Sequence, residues 1–249
     1  LSKLITDVLS VNRSILYFGP RSMEDVESTI LNSFIGQAPN KEKPTHQPNR
    51  AYKPPSNQIY FVQKEMAQAQ VRLECTAGTF DESKIPCAQI YNEYFGGGMA
   101  GLVFQELREA RALAYSAWAH FFTPARNNEE NILVGAIGCQ ADKTIEALEA
   151  FIELIDNMPI NDTRWESAHA SILSTYRTNP IGSRRIPGFV YDTTTLGLHG
   201  DPRKNRYEFI KNMKITDLQE FYTMEIQPKS LLISVVGDSD RIDLKELQR

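Results

Sequence analysis

The sequence predicts an α+β domain: a mixed, largely antiparallel sheet of about four to six strands with helices packed on one face. Three observations lead there. Gln70–Cys75 alternates polar and apolar residues at the strand period. Leu113–Phe122 and Asn131–Gly138 are two further strand patterns, joined by the polar stretch Pro124–Glu130 that suits a hairpin. From Asp142 to Glu225 the pattern turns helical over several successive segments. A run of strands followed by a run of helices segregates the helices to one side of the sheet. At 249 residues the chain can bury a sizeable core, as one large domain or two smaller ones.

Taken in order, Ser14–Gly19 reads as a short buried strand and Ser22–Phe34 as an amphipathic helix. Ser22 caps that helix, with Asp25 three residues on in a box-like start. Between Gly36 and Ser56 the prolines Pro39, Pro44, Pro48, Pro54 and Pro55 remove backbone donors and favour an extended linker. Gln58–Val62 and Gln70–Cys75 then read as strands. Helices over Ile85–Phe95 and Met99–Arg111 flank Gly96, Gly97 and Gly98. After the hairpin, helical patterns cover residues 142–157, 163–178, 188–198, 204–213 and 216–225, the last opened by Thr216 with Gln219 as a capping box. Ser230–Asp238 is a final strand. Its opening Lys229-Ser230-Leu231-Leu232 echoes Arg13-Ser14-Ile15-Leu16, and each is followed by an apolar strand pattern, a glycine and acidic residues.

Composition excludes several function classes. There are 27 Lys plus Arg against 31 Asp plus Glu, a net charge of −4. No broad basic field follows, so nucleic acid is not the expected main partner. No apolar run is long enough to cross a bilayer, and the N-terminus lacks the apolar core of a signal peptide. A chain that begins with Leu1 reads as an excised or processed piece, and its compartment stays open between a bacterial periplasm and the cytoplasm. Cys75, Cys87 and Cys139 form an odd set without C-x-x-C spacing. They read as buried thiols rather than a disulfide framework or a zinc knuckle.

Two motifs compete for chemistry and both fall short. Gly96, Gly98 and Gly101 satisfy G-x-G-x-x-G, but a dinucleotide fingerprint needs a strand before it, and Ala88–Phe95 reads as helix. Phe121 stands where an acidic ribose ligand belongs. No histidine among His46, His120, His169 and His199 opens an H-x-x-E-H zinc pattern. Glu166 and His169 make an E-x-x-H pair that lacks a third ligand and reads as a solvated or hydrogen-bonded helix face.

The stretch from Tyr94 to Ser116 carries the functional signal: a helix end, the glycine turn, a second amphipathic helix and a strand opening at Leu113, with Tyr115 just inside it. It resembles the pitrilysin, insulin-degrading and mitochondrial-processing zinc peptidases. In the zinc-free half of those enzymes an arginine and a tyrosine seven residues apart, set in Leu-Arg-x-x-x-x-Leu-x-Tyr, point into the catalytic chamber. Leu107, Arg108, Leu113 and Tyr115 occupy those positions here.

The resemblance implies that Tyr115 supports the transition state and that Arg108 holds or positions substrate carbonyls, with Arg111 a competitor only if the register shifts. It makes Gly96, Gly97 and Gly98 structural, and Tyr94, Phe95 and Phe104 core. It also implies residues 1–40 as the strand–helix tail of a preceding repeat, 41–56 as a proline-rich linker and 57–249 as the zinc-free domain. Such a fragment is inert alone and holds no cofactor. Zinc and its glutamate base belong to a partner half, on the same chain or another subunit, and flexible peptides are the substrates. A non-catalytic structural or assembly subunit of the same family is the alternative. An unrelated ligand-binding α+β domain, with a deep pocket away from Tyr115, is a third reading.

Overall fold

The structure, a computed structural model, describes residues 2–33, 41–42, 45–227 and 229–247. Five strands, β1 (Gln58–Gln63), β2 (Gln68–Thr79), β3 (Ser116–Phe122), β4 (Glu130–Gln140) and β5 (Leu232–Gly237), form one sheet in the order β1-β5-β2-β4-β3. Only β1 and β5 run parallel, and every other pairing is antiparallel. The helices are α1 (Ser2–Leu9), α2 (Met23–Leu31), α3 (Ile85–Tyr91), α4 (Leu102–Phe104), α5 (Thr144–Asp156), α6 (Asp162–Thr178), α7 (Ile186–Thr195), α8 (Arg203–Asn212), α9 (Ile215–Phe221) and α10 (Leu244–Leu247).

Strand alternation decides which sheet face is covered. In β2, Ala69, Val71, Leu73, Cys75 and Ala77 are buried, and in β3 so are Ala117, Ala119 and Phe121. Leu73 lies opposite Gly135 of β4 and Ile233 of β5, so three strands contribute to one core row. A slip of one residue would turn each row to solvent, which pins the register. Helices α3 and α9 meet this face through an aromatic cluster. Tyr91 stacks on Phe95 at 5.1 Å, and Phe221 lies 5.3 Å from Phe121 and 5.7 Å from Tyr91. The Tyr94 hydroxyl donates to the Pro159 carbonyl (2.8 Å) and accepts from the Asn161 N–H (2.9 Å), which ties the α5–α6 connection to the end of α3. Cys75 and Cys139 are buried free thiols and Cys87 is half-buried. Burial pushes the Cys75 thiol up to about 11.

Several boundaries differ from the sequence reading. Ser14–Gly19 forms no strand: Ile15, Leu16, Tyr17 and Phe18 are exposed, because apolar content makes a strand only where a neighbour completes the ladder. The Ser22 cap is present, its hydroxyl accepting from the Asp25 N–H at 3.2 Å, and α2 ends at Leu31; Phe34 lies outside the described residues. Helix α9 starts one residue before Thr216, and it is Asp217 whose carboxylate accepts the Lys214 N–H at 2.6 Å, not Gln219 that closes the box. Strand β3 opens at Ser116 rather than Leu113.

Pro39 and Pro44 also lie outside the described residues, but residues 45–53 dock on the tip of the β3–β4 hairpin. The buried Glu129 carboxylate meets His46 Nε2 at 2.8 Å and accepts from the Asn49 N–H at 3.2 Å. Glu130 accepts from the Ala51 N–H at 3.1 Å and pairs with Lys53 Nζ at 2.5 Å. His46 and the Asn49 amide hold Glu129 below the usual carboxylate range, as Lys53 and the Ala51 amide hold Glu130. A carboxyl depressed in the folded state stabilises above its unfolded pKa and ceases to as pH falls through the folded value. Hydrogen-exchange protection of Asn49 and Ala51 is therefore expected at neutral pH and lost in acid, once the pH falls below the usual carboxylate range, ahead of the β4 amides. Protection unchanged down to global acid unfolding would contradict the strap.

Candidate functional site

Helix α3 widens into a π turn over Asn92–Gly96, and α4 does the same over Gln105–Ala110. Between them the chain reverses at Gly98, whose φ of 57° lies in the left-handed region. Gly96 lies flat on β3: a Cβ there would sit 1.8 Å from the Ala119 carbonyl oxygen. The glycine turn thus lets a helix end contact an edge strand. Beyond it, Leu102, Val103 and Leu107 are fully buried, which turns Arg108 to the opposite, solvent side.

The helix is stopped by Ala112, the one non-glycine residue with positive φ (50°) among the described residues. The Leu113 N–H returns to the Leu107 carbonyl at 2.9 Å, a Schellman-type end widened by the π turn. Because a left-handed alanine costs about 1 kcal/mol over glycine, Ala112→Gly is expected to raise the melting temperature by about 2–4 °C. A lower melting temperature would show that the turn relies on the alanine methyl.

Leu113 and Ala114 are buried, and the Tyr115 N–H donates to the Gly138 carbonyl at 2.7 Å. Tyr115 therefore stands immediately before β3, not inside it. The odd-numbered residues of β3 face the core, but Tyr115 precedes that alternation and is 54% exposed. Its hydroxyl accepts from Gln140 Nε2 at 3.2 Å. The Arg108 guanidinium lies 4.7 Å from the Phe104 ring centroid, and its Nε is 3.7 Å from the Glu109 carboxylate. That ion pair joins two exposed neighbours and holds little energy, while the ring orients the cation.

Arg108 and Tyr115 share no hydrogen bond or ion pair among the described residues; each has its own support. Arg111 is exposed at the helix end, and among the described residues no aromatic ring lies beneath its guanidinium as Phe104 does beneath that of Arg108. Tyr94 and Phe95 are fully buried, but Phe104 is only half-buried and serves as the surface under Arg108. Gln140 was invisible to sequence spacing, since only the β3–β4 register brings it to Tyr115.

Among the described residues no group of three or more His, Cys, Asp or Glu side chains could hold a metal. His169 hydrogen-bonds the Ile210 carbonyl at 2.7 Å and stacks on Trp165, so its ring is committed to packing α6 against α8. Helix α3, not a strand, leads into the glycines, which removes the dinucleotide reading. No helix of the described residues is long and apolar enough to cross a membrane.

Three solved structures share this architecture. A peptidase M16 inactive domain from Pseudomonas fluorescens superposes with a TM-score of 0.68 at 15% identity, over 88% of this chain and 52% of that one. A protease from Helicobacter pylori gives 0.68 at 14% identity, over 88% and 53%. A chain of complex III2 from Candida albicans gives 0.58 at 12% identity, over 90% and 54%. The chain thus spans about half the length of each. No curated protein sequence matches it. The family model of the peptidase M16 inactive domain matches residues 15–171, from before α2 through the glycine turn, Arg108 and Tyr115 into α6. That match takes in more than half of the sequence, and the chain belongs to the peptidase M16 family through its inactive domain.

Proposed function

We propose that this chain is the chamber-completing half of a zinc metalloendopeptidase, inert by itself, which presents Arg108 and Tyr115 to an unfolded peptide held against a separate zinc-bearing half. The observation that carries this reading is the pair itself. An arginine and a tyrosine stand exposed on independently anchored supports, with weak partners, in a domain whose described residues form no metal-ligand cluster.

Peptide hydrolysis builds negative charge on the scissile carbonyl oxygen, and donors aimed at it are worth most where water is excluded. The Tyr115 hydroxyl accepts from Gln140 and so keeps its own proton free to donate. Arg108 offers a planar fork of N–H donors that suits backbone carbonyls along a bound peptide. The described residues gather no set of three or more His, Cys, Asp or Glu side chains of the kind zinc needs. The metal that activates water, and its base, belong to the other half, on the same chain or a partner subunit.

Residues 1–40 fit this scheme as the tail of a preceding repeat, with 41–56 as linker and 57–249 as the domain. Ile15, Leu16, Tyr17 and Phe18 are supportive, an exposed apolar run that a neighbouring sheet would cover. The test is hydrolysis of a fluorogenic peptide by this chain mixed with a zinc-bearing half. Cleavage is expected in the zinc-loaded mixture and not with this chain alone. Halves that co-elute yet never cleave would replace the proposal with an assembly subunit, the reading favoured by the likeness to a chain of complex III2.

A further inference from the structure

Residues 179–202 leave the core between α6 and α8. Helix α7 lies within this excursion and buries only Thr193, while Ile186 and Phe189 are half-buried and Val190 is 48% exposed. Two adjoining cavities of about 530 and 810 Å³ open here, sharing Pro180, Phe189, Asp201 and Arg203. The first is walled by apolar side chains of α7, the second by Tyr176, Tyr207 and basic residues. An apolar wall left this open marks a surface that something else covers.

Charge says what covers it. The chain is net acidic, yet residues 177–206 carry six Lys and Arg against two Asp. Asp201 is fully engaged by Arg203, at 2.9 and 3.0 Å to Nε, and Arg206 is met by Glu82 at 3.3 Å. Arg177 pairs with no carboxylate among the described residues: its Nε donates to the Tyr207 hydroxyl at 3.0 Å, and its guanidinium lies 5.8 Å from that ring centroid. Lys204, also on the rim, makes no ion pair among the described residues. The groove therefore combines an apolar slot with two cations, Arg177 and Lys204, that no carboxylate pairs among the described residues.

We infer that the groove between the end of α6, α7 and the start of α8 docks an acidic polypeptide segment, with an apolar side chain in the α7 slot and flanking carboxylates on Arg177 and Lys204. Arg108 and Tyr115 line neither cavity, so the inference is independent of the peptidase reading and its test needs no hydrolysis.

The experiment is fluorescence anisotropy of the whole chain with a short labelled peptide of Glu and Asp around a central Leu-Phe. Its Lys-substituted counterpart, a version with Ser replacing the Leu-Phe, and a single-stranded oligonucleotide complete the probe set. The acidic anchored peptide is expected to bind, to weaken with added salt, and to lose about tenfold in affinity with Arg177→Glu/Lys204→Glu. Val190→Asp, which alters only the slot, is expected to weaken it similarly with no change in melting temperature. The inference is overturned if the wild-type chain does not bind the peptide, if neither variant changes the affinity, or if the basic peptide, the Ser version or the oligonucleotide binds as tightly.

Discussion

Replacing Tyr115 by Phe in the assembled two-half enzyme is expected to lower kcat by about 100-fold or more, with little change in KM and none in assembly. The substitution keeps the ring and deletes one hydroxyl. Among the described residues that hydroxyl makes a single bond, to Gln140 at 3.2 Å, and the side chain is more than half exposed, so stability has little to lose. Any large effect must then come from a bond made to the reacting peptide and strengthened in the transition state, which is what a fall in kcat at constant KM reports. Arg108→Ala should divide differently, with a larger share in KM, because a cation on substrate carbonyls binds ground and transition states alike. Arg111→Ala, one helical turn on, should do neither. Gln140→Leu tests positioning: a loss smaller than that of Tyr115→Phe, absent in the double variant, places Gln140 behind Tyr115. Unchanged turnover by Tyr115→Phe in an enzyme that still assembles would take the phenol out of the chemistry.

What the sequence revealed follows the range of the interactions involved. Alternation in Gln70–Cys75 and the polar stretch before Glu130 are local signals, and β2 and the β3–β4 hairpin stand where they point. Arg108 lies on the exposed side of its helix, opposite the buried Leu102, Val103 and Leu107, as their local spacing implies. The end of that helix was misjudged for a local reason as well: Ala112 does the work usually given to glycine, so Leu113 and Ala114 looked like strand. At α9, Thr216 and Asp217 offer overlapping caps, and the 2.6 Å bond to Lys214 decides between them. Other features depend on distant partners. The insertion of β5 between β1 and β2, the meeting of Gln140 with Tyr115, and the clasp of His46 by Glu129 across 83 residues leave no local trace. Ser14–Gly19 is the converse case, a strand pattern for which the described residues supply no ladder.

Gly96→Ala is expected to destabilise the fold by about 3 kcal/mol or more, and Gly98→Ala by only about 1 kcal/mol. At Gly98 the cost is conformational alone, since nothing lies within 4 Å of the added methyl. At Gly96 the methyl would lie 1.8 Å from the Ala119 oxygen and 2.8 Å from its carbonyl carbon, backbone atoms with no rotamer to escape into. Relief requires α3 and β3 to separate, and they are clasped nearby. The Asn92 amide accepts from the Phe121 N–H at 2.6 Å and donates to its carbonyl at 3.0 Å, standing in for a neighbouring strand at the sheet edge. Separation would break both bonds and open the aromatic contact between Tyr91 and Phe121. Calorimetry should show Gly96→Ala melting about 6–12 °C below wild type. It should also impair the paired enzyme, because β3 and the turn before it carry Tyr115. If Gly96→Ala melts no lower than Gly98→Ala, the edge strand yields easily, and the contact between the glycine turn and β3 is not what holds Tyr115 in place.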